Sequence, residues 1–372
     1  MKPLPPLAQI PPQIAAVADY EAFARERMTP GAWSYFSGGA GDEHTLRDNL
    51  AAFQRIRLRS RVLRPVAGGH TRVSLLGEEY EHPILLAPVA FQQLAHRDGE
   101  FASVLGASAM KAGMVVSTQS SVALEDLAQA AQTRLWFQVY LQHDRDFTAQ
   151  LVARAHAAGY RALVLTVDAP VNGPRNREQR DGFALPAGVE AVNLRGMAPP
   201  PAAVASAGGN PLFGGPLLAH APTWDDVAWL RSLSPLPVVL KGILSPDDAR
   251  RAVEAGASAI VVSNHGGRTL DTAPATIDAL PAIAREVGGR VPLLLDGGIR
   301  RGTDVLKALA LGADAVLVGR PCVHALAAAG AVGVAHVLHL LRAELEMAMA
   351  LTGCRTLADI DESVIWPGDV PP

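Results

Sequence analysis

Three stretches share one plan: AGYRALVLTVD at 158–168, AGASAIVVSNH at 255–265 and LGADAVLVGRP at 311–321. Each has a Gly, two linking residues, an Ala and then an apolar run. The Gly suits the left-handed position that ends a helix, where a Cβ is penalised. An unbroken apolar run marks a strand buried on both faces, and therefore a parallel one. Working outward, similar runs fall at Ile84–Pro88, Met114–Thr118, Leu135–Tyr140, Leu236–Gly242 and Val291–Asp296. With Ala162–Asp168, Ala259–Asn264 and Ala315–Gly319 they make eight. Between them lie helix-period segments such as DFTAQLVARAHAAG, SPDDARRAVEAG and GTDVLKALALG. Strand–helix alternation repeated eight times predicts an α/β fold, a (β/α)8 TIM barrel.

The interval from Ala162 to Leu236 is more than twice any other between strand starts. It predicts a long insertion after strand 4, at about 186–222, of the kind that forms lids or binding loops. Thr223 then reads as the N-cap of TWDDVAWLRSL, with acids in the first turn. Residues 1–80 read as an N-terminal arm and helical segment, with helices at Tyr20–Glu26 and Thr45–Phe53. Residues 81–357 read as the barrel, closed by a helical region at Val323–Leu351, and 358–372 as a tail. In RIRLRSRVLR, Arg55, Arg57, Arg59 and Arg61 alternate with Ile56, Leu58, Ser60 and Val62. Period two predicts a strand whose basic face is solvated or paired with internal carboxylates, rather than one that binds nucleic acid.

Composition excludes several classes. The chain has 372 residues, 33 Lys+Arg against 36 Asp+Glu, a net charge of -3 and 49% hydrophobic residues. That is neither a disordered chain nor the cationic surface nucleic acid requires. Two cysteines make no disulfide scaffold, so a reducing, cytoplasmic setting is expected. Two stretches lack charge. Met197–Trp224 is broken by prolines and cannot be one spanning helix, although it leaves room for peripheral membrane contact. Pro321–Leu341 is Ala-rich, carries His324, His336 and His339, and reads as a core helix rather than an integral membrane span. Neither the His336/His339 pair nor the Cys322/His324 pair completes a ligand set, so no metal is expected.

Barrel enzymes place chemistry at the C-terminal ends of their strands. There this sequence has Val89 and Ala90, Ser117 and Gln119, Gln138 and Tyr140, and Thr166 and Asp168 with Asn172 and Arg175 beyond. The later strands end in Lys241, in Ser263-Asn264-His265-Gly266-Gly267-Arg268, in Asp296-Gly297-Gly298-Ile299-Arg300, and in Gly319-Arg320. His265 is the candidate base, with Asp168 placed to orient it and stabilise its protonated form. Arg175 and Arg268 suit a carboxylate. DGGIRRG and VGRP supply glycines for close backbone approach and Arg300 and Arg320 for charge, which suits one phosphate. No GxGxxG is present. Lys241 reads either as a Schiff-base nucleophile or as a fixed cation beside a cofactor.

SNHGGR, LDGGIRRGTDVLKALALGA, VGRP, LTVDAP, WFQVY and the KG at 241–242 closely resemble the FMN-dependent 2-hydroxy acid oxidases and dehydrogenases, a family that includes glycolate, lactate and hydroxymandelate oxidases and mandelate dehydrogenase. The likeness runs from Tyr20 to Leu357. It implies an FMN-binding barrel that oxidises a small 2-hydroxy acid to the 2-keto acid, assembled as a homotetramer or octamer. By the same resemblance His265 is the base and Asp168 its carboxylate partner. Arg268 and Arg175, with Tyr35 and Tyr140, take the substrate carboxylate and oxygens. Lys241 sits beside flavin N1 and O2. Ser117, Gln138, Thr166 and the backbone at Val89 and Ala90 contact the isoalloxazine. Ser263, Asp296, Gly298, Arg300, Gly319 and Arg320 hold the ribityl phosphate.

Departures lie in the side-chain pocket. Gln119 stands where glycolate oxidase has a tryptophan, and Asn172 where it has a leucine. The loss of a bulky ring at 119 and the VNGPR stretch favour an aromatic, mandelate-like substrate. Ala90 resembles the residue of oxidases and favours oxygen as acceptor. The uncharged insertion resembles the membrane anchor of mandelate dehydrogenase and favours another acceptor. A Schiff-base aldolase and a catalytically silent flavin-binding barrel are the rival readings.

Overall fold

Eight parallel strands close on themselves: β1 (Ile84–Leu86), β2 (Met114–Val116), β3 (Leu135–Val139), β4 (Leu163–Thr166), β5 (Val238–Ile243), β6 (Ala259–Val262), β7 (Leu293–Leu295) and β8 (Ala315–Val318), with β8 paired to β1. This computed structural model describes residues 3–198, 218 and 221–369. All eight expected strands are present and parallel, and the (β/α)8 barrel is confirmed.

The alternation of side chains across a strand sorts the core into two clusters. Leu85, Val115, Trp136, Val164, Val239, Val261, Leu294 and Leu317 fill the barrel interior. Ile84, Leu86, Met114, Val116, Phe137, Leu163 and Leu165 pack outward against the helices. A short antiparallel hairpin, Val73–Leu75 with Glu78–Tyr80, closes the N-terminal end. Its Leu75 and Tyr80 join the inner cluster, and Trp136 Nε1 donates to the Tyr80 hydroxyl at 3.1 Å.

Before the barrel come α1 (Tyr20–Arg25), α2 (Pro30–Ser37) and α3 (His44–Arg55). The sequence reading located α1 and α3. It missed α2, whose Pro at the first turn and Thr29 cap, accepting from Ala32 N at 3.2 Å, make a short but well-signalled helix. The outer helices are α4 (Gly99–Met110), α5 (Leu124–Ala130), α6 (Arg145–Ala157), α7 (Asn176–Arg180), α8 (Trp224–Ser232), α9 (Pro246–Glu254), α10 (Thr276–Val287), α11 (Gly302–Ala310) and α12 (Arg320–Thr352). Thr223 caps α8 as expected, with its N–H donated to Asp226 at 2.7 Å.

Among the described residues, α12 is the one helix long and apolar enough to cross a membrane, but 78% of that window is buried inside the fold. It kinks at Ala329–Gly330, and the Ala328 carbonyl there accepts from Leu7 N in the arm at 2.8 Å. Both cysteines are buried and free.

The expected strand at RIRLRSRVLR is not formed; the segment makes one antiparallel bridge, Leu58 to Ile365. The reason is its partner. The C-terminal tail offers a few backbone groups and a carboxylate, not a strand. Arg57 pairs with Asp369 at 2.7 Å and Arg55 with Asp278 at 2.5 Å. Most of the insertion expected at 186–222 and of the uncharged Met197–Trp224 stretch lies outside the described residues, and so does the membrane contact expected there.

The start of α11 touches α12 without room for a side chain: a Cβ at Gly302 would sit 2.1 Å from Leu345 N. Gly302→Ala should force the two helices apart at a cost of about 2 kcal/mol or more, read as a lower thermal-unfolding midpoint. An unchanged midpoint would show that this contact is not tight.

Candidate active site

The inward rows continue past the apolar interior. Two residues beyond Val115, Trp136, Val164, Val239, Leu294 and Leu317 come Ser117, Gln138, Thr166, Lys241, Asp296 and Gly319, and all six line a cavity of about 350 Å³. That volume lies within the range of small-molecule sites. Tyr35, Val89, Ala90, Gln119, Tyr140, Asn172, Arg175, His265, Arg268, Gly298, Arg300 and Arg320 line it too. Of the residues chosen from sequence, Ser263 and Asp168 stand behind the wall. The Ser263 hydroxyl accepts from Lys241 Nζ at 2.9 Å and from His265 N at 3.1 Å.

His265 begins a turn of three left-handed residues, with φ of 57°, 63° and 73° at His265, Gly266 and Gly267. A Cβ at Gly267 would meet Leu46 N at 2.7 Å, so the second glycine is required. Asn264 anchors the turn through a reciprocal amide pair with Asn49 of α3, at 2.8 and 3.0 Å. His265 Nδ1 lies 2.8 Å from Asp168 Oδ1, which makes Nδ1 the donor and leaves Nε2 as the acceptor, 3.5 Å from the Tyr140 hydroxyl.

Burial pushes the His265 pKa below the ordinary histidine value, and Asp168 only partly opposes it. Burial would raise Asp168, but His265 and then Lys241 hold it low. The resting pair is therefore a neutral imidazole on a carboxylate. Burial also pushes Tyr140 up to about 12, so its hydroxyl keeps its proton.

Lys241 is buried, and its ammonium pairs with Asp296 Oδ2 at 2.9 Å. Burial would lower its pKa, but Asp296 and Asp168 more than offset this and raise it. A firmly protonated amine is a fixed cation and a poor Schiff-base nucleophile. Gly242 follows at a bulge in β5, with φ of 115°; a Cβ there would lie 2.5 Å from Asp168 Cβ. The glycine is what lets Asp168 reach His265.

At the other side, Arg268 Nη1 donates to the carbonyls of Tyr35 (2.5 Å) and Gly38 (3.0 Å), and its guanidinium lies 5.2 Å over the Tyr35 ring. Arg175 Nε and Nη1 are buried with no hydrogen-bond partner among the described residues. Burial, then Arg268, brings the Arg175 pKa down to about 10, which still leaves it charged at neutral pH.

The cavity fits FMN. Pro88, Val89 and Ala90 give an apolar wall. Ser117, Gln138 and Thr166 form a hydrogen-bonded row, with Ser117 Oγ to Gln138 Oε1 at 3.2 Å and Gln138 Nε2 to Thr166 Oγ1 at 3.1 Å. Lys241 continues the row, and Asp296 Oδ1 is buried without a hydrogen bond among the described residues. At the far end Gly298, with φ of 95°, and Gly319 stand beside Arg300 and Arg320. Burial lowers the pKa of both arginines, Arg320 strongly and with Arg268 and Arg300 adding to it. Two such crowded cations favour an anion between them. Arg320 also donates to the carbonyls of Phe36, Gly266 and Gly38 at 2.8–2.9 Å.

The sequence reading missed Glu178, Asn49 and Phe183. Glu178 lines the cavity one helical turn from Arg175, and that spacing in RNRE was its available signal. Asn49 carried no local signal. Phe183 stacks on Tyr35 with ring centroids 4.9 Å apart.

The model of the FMN-dependent dehydrogenase family matches residues 24–367. The chain is 51% identical over 354 residues to an L-lactate oxidase of Nostoc sp., covering 93% of this chain and 96% of that one. It is 45% identical to a peroxisomal (S)-2-hydroxy-acid oxidase of Oryza sativa subsp. japonica, covering 95% and 96%. Among solved structures, mandelate oxidase with (S)-2-phenylpropionate superposes with a TM-score of 0.85 at 42% identity, covering 94% and 97%.

Gly242→Ala should push Asp168 away from His265. Asp168 is the group that opposes burial, so the imidazole should then titrate at lower pH than in the parent. Histidine-selective ¹⁵N NMR of the two proteins reads the shift, and an unmoved midpoint would contradict the steric argument.

Proposed function

The chain belongs to the FMN-dependent dehydrogenase family, and from that premise we propose that it oxidises an (S)-2-hydroxy acid to the 2-keto acid with oxygen as electron acceptor. Oxidation of 2-hydroxy acids with FMN is what the relatives share. One observation carries the reading of the site. A neutral imidazole nitrogen, fixed by Asp168, opens into the same cavity as Arg175 Nε and Nη1, which make no hydrogen bond among the described residues.

Arg175 and Arg268 hold the substrate carboxylate, with Tyr35 beside them. Tyr140, protonated, donates to a substrate oxygen. His265 Nε2 takes the proton that leaves the substrate, and Asp168 stabilises the imidazolium that results. When bound, FMN supplies the sink for the electron pair. Val89, Ala90, Ser117, Gln138, Thr166 and Lys241 would hold its ring, and Ser263, Asp296, Gly298, Arg300, Gly319 and Arg320 its ribityl phosphate. Lys241, protonated and paired with Asp296, would supply a fixed positive charge to the bound ring. Oxygen then yields hydrogen peroxide as the second product.

The substrate side chain meets Gln119 and Asn172. The lactate oxidases among the relatives favour lactate as first substrate. The lack of a bulky ring at Gln119 favours mandelate as the second reading.

An anaerobic spectrum of the yellow holoenzyme, taken before and after (S)-lactate, (S)-mandelate and glycolate, tests reaction and side chain together. Bleaching by none of them would sink the proposal. Bleaching by one, with reoxidation by a dye but not by oxygen, would overturn the acceptor. His265→Gln should slow bleaching by about 10²–10⁴-fold, the usual contribution of a general base. The base works only when neutral, so activity falls as His265 protonates. Its lowered pKa places the acid limb of kcat/KM below the ordinary histidine value of 6.5. A limb above 6.5 would exclude His265 as the titrating base.

A further inference from the structure

Glu178 lies between the two arginines of the carboxylate site. One oxygen, Oε1, stands 3.5 Å from Arg268 Nη2 and 3.7 Å from Arg175 Nη1. Both distances exceed a good charge-assisted hydrogen bond, and Oε1 has no hydrogen-bond partner among the described residues. All three side chains are largely buried, with exposures of 16–17%. Glu178 is thus close enough to neutralise charge, yet it leaves the Arg175 donors free for a ligand.

The other groups around the cavity add no free cation. Lys241 pairs with Asp296, and His265 is neutral on the Asp168 carboxylate, so that pair carries one negative charge and disfavours a further anion. Arg300 and Arg320 stand at the glycine-lined phosphate end. What remains at the substrate end is two guanidinium groups and one carboxylate, a net charge of plus one. One substrate carboxylate brings that arginine cluster to zero. A second, on the side-chain end toward Gln119 and Asn172, would sit partly desolvated in the same cavity as Glu178 and Asp168 with no free cation to meet it.

We infer that Glu178 is a specificity-determining residue that limits the carboxylate site to 2-hydroxy monocarboxylates and rejects dicarboxylates by charge. The inference rests on the proposed function for the identity of the substrate. Its physical core, the preference of this cavity for a monoanion, holds apart from turnover.

The test is therefore a binding experiment on the holoenzyme, using propionate and succinate as unreactive mono- and dicarboxylate probes in isothermal titration calorimetry. Wild type should bind propionate more tightly than succinate. Glu178→Gln keeps shape and removes charge. It should tighten propionate about tenfold and narrow the propionate-to-succinate ratio by about tenfold, as one charge removed at several ångströms in a partly buried site requires. Glu178→Asp keeps the charge and should keep the ratio. Kinetics supply a second readout: Glu178→Gln should lower KM for lactate and raise the malate-to-lactate ratio of kcat/KM. Weaker propionate binding in Glu178→Gln, with the ratio unchanged, would make Glu178 a mere support for Arg175 and overturn the inference. Loss of the ratio in both variants would make shape the determinant and overturn it equally. If no 2-hydroxy acid bleaches the flavin, the proposed reaction falls, and the probe ratio still decides the charge argument.

Discussion

A closed parallel barrel gives each strand residue a choice of two directions, into the lumen or out against a helix, and everything else in this molecule follows from that constraint. The lumen cannot hold water along its length, so its lower part is filled by Trp136, Leu85, Val164 and their neighbours. The same rows, carried two residues further, emerge where the lumen opens. There they bear Ser117, Gln138, Thr166, Lys241 and Asp296. Apolar packing below thus sets the direction of the polar groups above. No separate scaffold is needed to aim them.

Burial then dictates the electrostatics. A lone ion in this setting would be costly, so each charge has an answering group. Lys241 has Asp296, Asp168 has the imidazole of His265, and the arginine pair has Glu178. The answers differ in kind. The Lys241 pair is short and keeps its charge permanently. The His265 pair is short but neutral on the imidazole side, which leaves a proton site vacant. The arginine pair is loose, which leaves donors free. Tight, neutral and loose pairing within one cavity correspond to holding a charge, accepting a proton and receiving an anion.

Much of this was legible in the sequence because period and position coincide. Apolar runs gave the eight strands, and reading what ended each run gave the mouth of the cavity, from Ser117 to Arg320. His265 stood out because it ends a strand run and an imidazole titrates near neutrality. The failures have physical causes. Arg55–Arg61 alternates like a strand, but alternation says nothing about whether a partner strand exists, and the tail supplied only Ile365 and Asp369. Glu178 looked like any acid on a short helix, because its importance comes from Arg268, far away in the chain. Asn49 is invisible for the same reason: its partner is Asn264.

Arg320 ties the start of α12 to Phe36 and Gly38, which precede the barrel, and to Gly266, which follows β6. Arg268 reaches back to Tyr35 and Gly38 in the same way. The segment before the barrel therefore finishes the barrel's own mouth, and a boundary drawn between them on the sequence runs through the middle of the cavity. In terms of modularity, the piece that can be inherited, swapped or transplanted intact is not the eight-stranded unit. Any graft of this catalytic mouth onto another barrel has to bring α2 along, because two of its arginines are oriented by carbonyls that the barrel does not contain.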